Sequence, residues 1–313
     1  MKNGEKMNHE KQIKHVFTGQ ETYDGAGVKL NRILGGHLSA QITDPFLMLD
    51  HFGSSKIEDY IRGFPWHPHR GIETVTYLLS GKVFHEDSEG NKGVIRTNDL
   101  QWMTAGSGIF HQEMPKPLDE TDPDELLKAV GLPTNVSGFQ LWINLPAKHK
   151  MTMPTYRDIK GNGVPVVESD GGARVKIISG SFGNDLGPFD GLYGVDPTYL
   201  DVTLKEESEF VYPVKAGYTS MLYVVGGRGQ FGSSDSNFYV PGQALVFSQE
   251  GDYVRVRTED SPLRFILLSG KPLNEPIWWH GPIVMNSREQ INEAVHDLQT
   301  GNFVREKNPV FVD

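Results

Sequence analysis

The chain contains no cysteine among its 313 residues. Disulfides, thiolate nucleophiles and cysteine-bound zinc or iron–sulfur centres are therefore excluded. Any metal must sit on His, Asp or Glu. No run of about eighteen apolar residues occurs, so no membrane span is expected. Residues 1–12 are charged and polar without the apolar stretch of a secretory signal, which predicts a cytoplasmic protein with a frayed tail. Positive charge is in deficit: 30 Lys and Arg face 40 Asp and Glu, a formal net charge of −10. An acidic surface repels phosphate backbones, so direct nucleic-acid binding is not expected.

Glycine and proline are plentiful, at 35 and 19 residues. They break the chain into short β-branched and aromatic runs: 28–34, 74–79, 82–86, 93–96, 100–104, 109–113 and 138–145. Short strands at regular spacing, separated by turns, predict an all-β antiparallel barrel or sandwich. The polar stretch 87–91 reads as a hairpin loop. Residues 115–135 read as an acidic loop insertion with a short helix at 124–130. Near the end, Ser287 and Gln290 have the spacing of a capping box. Ile291, Ala294, Val295 and Leu298 then share one helix face, and Gly301 suits the C-cap.

The second half repeats the strand-turn order of the first. Aligning Gly81 with Gly227 sets YLLSG beside YVVGG, which predicts a duplicated fold: residues 1–146 as the first barrel, 147–313 as the second barrel with the C-terminal helix.

The chemistry concentrates between Gly63 and Met114. His67 and His69 are spaced i, i+2, and so are His111 and Glu113. Alternate residues of a strand face one side, so each pair can aim both side chains at one point. Three imidazoles and a carboxylate form the ligand set of a mid-row divalent metal such as iron, with other divalent transition metals possible. Pro68 between the two histidines favours an edge strand. Glu73 has the parity of His67 and His69 and is a rival ligand, though an outer acceptor or structural carboxylate is the favoured role. His85 is expected at the surface. His9, His15, His37, His51, His149, His280 and His296 lack paired spacing and are read as structural. Trp102, Phe110, Trp66 and Phe64 are candidates for cavity walls, each equally well accounted for as core.

By that offset His67 and His69 correspond to Pro213 and Lys215; aligning Gly108 with Gly251 sets His111 and Glu113 beside Val254 and Val256. The second half thus keeps the strands without the ligands. Other chemistries fit poorly. The GxSxG elbow around Ser107 fails because its first glycine would fall on Ala105, and the Gly-rich 226–229 stretch lies in a hairpin, not before a helix.

The stretches DPFLMLD (44–50), HPHRG (67–71), DLQWMTAG (99–106), HQEM (111–114), LWINLP (141–146), PLNEP (272–276) and GPIVMN (281–286) resemble those of the pirin family of the cupin superfamily. The resemblance covers nearly the whole chain after the tail. It implies two tandem cupin-type β-barrels with one iron in the first, held by His67, His69, His111 and Glu113. It also implies two candidate roles. One is an iron-dependent quercetin 2,3-dioxygenase acting on a flavonol and O2, with Glu113 accepting the proton of the flavonol hydroxyl. The other is a redox-sensing regulator acting through a protein partner. A monomer is expected. An open cavity over the metal, of roughly 300 Å³ or more, would favour the enzyme.

Overall fold

In the computed structural model, which describes residues 9–117, 135–169, 171–189, 192–233 and 236–305, the β-branched run Ile72–Ser80 is an inner strand of a seven-stranded antiparallel sheet. A four-stranded sheet closes over one face of it, led by the edge strand Phe64–His69. The second half repeats the plan with its own seven-stranded and four-stranded sheets. The expected all-β architecture of two tandem barrels with a C-terminal helix is what forms. The expected short helix at 124–130, most of the surrounding insertion, and the tail up to residue 8 lie outside the described residues.

Alternation along the strands explains how the barrels associate. Val75, Tyr77 and Leu79 face away from the first barrel's interior, and Met221, Tyr223 and Val225 face away from the second's; together they form one shared core. Leu78 points the other way, into the first barrel with Val28, Phe52 and Val83. Leu222 and Val224 point into the second. Both faces of the central strands Ile72–Ser80 and Thr219–Gly227 are therefore buried almost throughout. A buried polar network at this interface is paired. Arg264 donates to both oxygens of Asp201 at 3.0 and 2.7 Å, and Tyr77 Oη donates to Asp201 Oδ2 at 2.7 Å.

Chain segments cross the division at residue 146. Ile13–Thr18 pairs with Gln243–Phe247 in the second half's sheet. Thr155–Ile159 pairs with Leu100–Thr104 in the first half's sheet. The chain is docked from its ninth residue, not frayed to its twelfth. Lys11 is buried, and its Nζ donates to the carbonyls of Ser248 and Gln249 at 2.8 and 3.1 Å. A helix at His37–Thr43, not foreseen from the sequence, packs beside the strand Phe46–Ser54.

The C-terminal helix spans Arg288–Thr300. Ser287 Oγ accepts from the Gln290 N–H at 3.3 Å, and Gly301 takes the left-handed C-cap at φ 75°. Only a residue tolerant of positive φ ends a helix this way at little cost. Ile291 and Ala294 are buried as the periodicity predicts, and Asp297 is buried beside them.

Candidate metal centre

The strand Phe64–His69 pairs antiparallel with Ile109–Lys116, setting His67 directly opposite His111. Its place at the sheet edge accommodates Pro65 and Pro68, which cannot donate to a ladder. His69 follows His67 on the same face. The three imidazoles converge: ring centroids lie 4.9 Å (His67–His69), 4.2 Å (His67–His111) and 5.0 Å (His69–His111) apart. One nitrogen from each lies within 4.8 Å of the others. Glu113 is not part of that group. The register shifts between His111 and Glu113, which brings Glu113 opposite Phe64; irregularities of this kind re-aim side chains. Its Oε1 lies 3.0 Å from Thr76 Oγ1.

The donor set suits a divalent ion. Burial holds His69 and His111 well below the ordinary imidazole range, so both are neutral and carry a free lone pair. The Nδ1 of His67 lies 2.8 Å from the Pro65 carbonyl, and that of His69 lies 3.4 Å from the Pro282 carbonyl. A carbonyl can only accept, so each Nδ1 carries the proton and each Nε2 keeps its lone pair for a metal. Both ring nitrogens of His111 are buried without a hydrogen-bond partner. A buried polar atom without a partner is costly, and an ion among the three rings would satisfy one of them. Burial also pushes the Glu113 carboxyl up.

A cavity of about 1170 Å³ opens over His67 and His69. Apolar walls come from Met48, Phe52, Phe64, Trp142, Ile277 and Trp279, and Thr76, Glu113 and Gln140 supply polar groups. Trp142 stands edge-on to His69 at 5.0 Å and lies 5.8 Å from Trp279. Asp24, Arg32 and Asp50 lie on another part of the wall, with Arg32 donating to Asp50 at 2.9 and 2.7 Å and to Asp24 at 2.7 Å.

Several sequence expectations change. Glu73 does not share the face of the histidines. Arg70 and Gly71 separate two strands of different sheets, and Gly71 takes φ 79°, so parity does not carry across. Glu73 has the parity of Val75 and Tyr77, accepts from Thr104 Oγ1 at 2.8 Å, and is pushed up to about 7 by burial. His85 is buried, 5% exposed, opposite Glu113 on the neighbouring strand; its ring stacks on Tyr156. His37, read as structural, lines the cavity. His51 is structural, bonded to Tyr223 and Ser137, with burial lowering it to about 4. Of the four aromatic candidates, Phe64 lines the cavity. Trp102 packs on Phe189 in the shared core, Phe110 on Phe303, and Trp66 is exposed.

The repeat alignment is off by one residue on one strand. Tyr212 pairs with Val254 as His67 pairs with His111. Tyr212 and Val214 are the buried counterparts of the first pair of histidines, whereas Pro213 and Lys215 face outward. Tyr212, Val214, Val254 and Val256 offer neither imidazole nor carboxylate. Sequence reasoning assigned no site role to Thr76, Gln140, Trp142 or the 276–282 segment. Trp142 lay within the LWINLP stretch, and Pro276, Gly281 and Pro282 within PLNEP and GPIVMN; Thr76 and Gln140 carried no local signal.

Comparison with known proteins agrees with this fold. The Pirin family model matches residues 27–143, and the model of the Pirin C-terminal cupin domain matches residues 199–304. A pirin-like protein of Caulobacter vibrioides is 43% identical over 289 residues, 92% of this chain and 97% of that protein. A pirin-like protein of Solanum lycopersicum is 42% identical over 280 residues, 89% and 88% of the two chains. Among solved structures, a quercetin 2,3-dioxygenase from Acinetobacter baumannii superposes with a TM-score of 0.80 at 28% identity, over 94% of this chain and 99% of that one.

Proposed function

The chain belongs to the pirin family, and from that premise we propose that it is an iron-dependent dioxygenase that cleaves the ring of a flavonol such as quercetin. The observation that carries this reading is the cavity of about 1170 Å³ that opens over His67 and His69, two of the three converging histidines. A sensor acting through its surface needs no such space, whereas a flavonol-sized substrate needs roughly 300 Å³ or more. The quercetin 2,3-dioxygenase named above, similar over nearly the full length, supports the substrate class.

His67, His69 and His111 would hold the metal, with Glu113 as fourth ligand. When bound, iron supplies Lewis acidity toward the substrate hydroxyl and the redox chemistry with O2. The chain supplies the rest. Phe64, Trp142 and Trp279 present flat apolar faces to planar rings and exclude water from them. Glu113 receives the proton of the flavonol 3-hydroxyl; burial raises its affinity for that proton. Thr76 holds the carboxyl in place from the facing seven-stranded sheet. Asp24 and Asp50, outnumbering Arg32, favour hydroxylated over carboxylated substrates at the far wall.

The test is oxygen uptake by the iron-loaded chain. Quercetin should be consumed one-to-one with O2. The corresponding flavone without the 3-hydroxyl should not react, and His111→Ala should be inactive. Absence of flavonol-dependent uptake at full iron occupancy would overturn the enzyme reading and favour a regulator with a protein partner.

A further inference from the structure

The metal-binding strand of the first half is held by a segment that belongs, by chain order, to the second. After its last long strand, Leu263–Gly270, the chain returns to the first barrel. The Arg70 N–H donates to the Pro282 carbonyl at 3.4 Å, and the Val284 N–H donates to the Arg70 carbonyl at 3.1 Å. The approach is tight: a Cβ on Gly71 would lie 2.1 Å from the Val284 carbonyl oxygen. Lys150 Nζ stitches the two strands from beneath, donating to the carbonyls of Gly71 and Val284 at 2.8 and 2.9 Å and to Asn144 Oδ1 at 2.6 Å. The Arg70 side chain, 1% exposed, then reaches the C-terminal helix. It donates to Asp297 Oδ2 at 2.8 Å, to the Phe303 carbonyl at 2.6 Å and to the Ser107 carbonyl at 2.7 Å.

This seat places the Pro282 carbonyl at His69 Nδ1 and Trp279 beside Trp142, which abuts the His69 ring. A carbonyl on the far nitrogen of a ligating imidazole fixes its tautomer and direction, and loss of such a group costs about 10–100-fold in metal affinity. We propose that the segment from Pro276 to Phe303 is a clamp that sets the metal affinity of the centre, with Arg70, Lys150 and Asp297 as positioning residues. The proposal rests on the metal reading above. Its reciprocal consequence is that metal binding tightens the clamp, because coupling between two sites runs equally in both directions.

Cobalt(II) is the probe, since its d–d absorption reports its coordination. Asp297→Asn and Lys150→Met loosen the clamp without touching a histidine. Val256→Ala, in the core of the second barrel, loosens packing elsewhere. The clamp variants should bind cobalt about 10–100-fold more weakly with an altered d–d spectrum, and should gain less thermal stability from it than the wild type. Val256→Ala should melt earlier with and without cobalt, its affinity and spectrum unchanged. Clamp variants with wild-type affinity and spectrum overturn the proposal. Should both clamp variants fail to fold, hydrogen exchange on the wild type decides: cobalt should slow exchange at Arg70, Val284 and the C-terminal helix, and unchanged exchange there overturns the clamp. A wild type that gains no stability from cobalt and shows no d–d spectrum overturns the metal reading itself, and the clamp with it.

Discussion

Thr76 Oγ1 lies 3.0 Å from Glu113 Oε1 and 2.7 Å from Gln140 Oε1. One hydroxyl carries one proton and cannot donate to both oxygens. As the base, Glu113 is a carboxylate and accepts that proton, so the Gln140 amide is turned to donate its NH2 to Thr76. Thr76 is the group that holds the carboxyl.

Thr76→Val keeps the side-chain shape and removes the hydroxyl. A hydrogen bond to a charged group contributes about 1.5–3 kcal/mol, so turnover of a flavonol should fall about tenfold or more while iron content stays at the wild-type level. Unchanged kcat with iron retained would show that Thr76 does not position the base.

The metal content of histidine variants probes the triad directly. Purified wild type should carry about one metal per chain, and His69→Ala or His111→Ala should deplete it, each removing one of the three converging imidazoles. Elemental analysis that finds full occupancy in both variants would contradict the assignment.

Much of this centre was legible in the sequence because strand periodicity is local. Two side chains spaced i, i+2 share a face whatever surrounds the strand, so His67 with His69 could be placed before any fold was known. The same rule misled for Glu73, because the left-handed turn at Gly71 resets parity between strands. It also misplaced Pro213 and Lys215 by one residue, since a repeat aligned through its glycines does not record a one-residue change in a connecting loop. The capping box announced the C-terminal helix, but Asp297 on its buried face was invisible: its partner Arg70 lies 227 residues away. Trp279 and Pro282 were out of reach for the same reason, as was the return of Ile13–Thr18 to the second half's sheet.

Glu73 provides a pH test separate from the metal. Burial raises its folded pKa to about 7, from 4.5 for an exposed glutamate. The folded chain therefore holds a proton that the unfolded chain releases. The stability this gives is fully present below pH 4.5 and is lost as pH rises through 7. Glu73→Gln cannot ionise. Wild-type stability relative to the variant should fall between those pH values by up to about 1.4 kcal/mol per pH unit. Denaturant unfolding across that range measures it, and parallel pH profiles would contradict the buried assignment. Metal content of the variant should match the wild type, since Glu73 faces the shared core.

Trp279→Ala removes one aromatic wall of the cavity. Contacts between stacked or edge-on aromatic groups contribute about 0.5–1.5 kcal/mol beyond area burial, so KM for a planar flavonol should rise several-fold or more. Steady-state kinetics at matched iron content would show it. An unchanged KM would place the substrate away from the Trp142–Trp279 wall.

The most direct test of the central claim, a metal centre beneath the cavity, is anomalous X-ray scattering from crystals of the iron-loaded chain, recorded above and below the iron absorption edge. One peak should appear, among His67, His69 and His111, present above the edge and absent below it. The absence of a peak there, or a peak within the second barrel, would contradict the account.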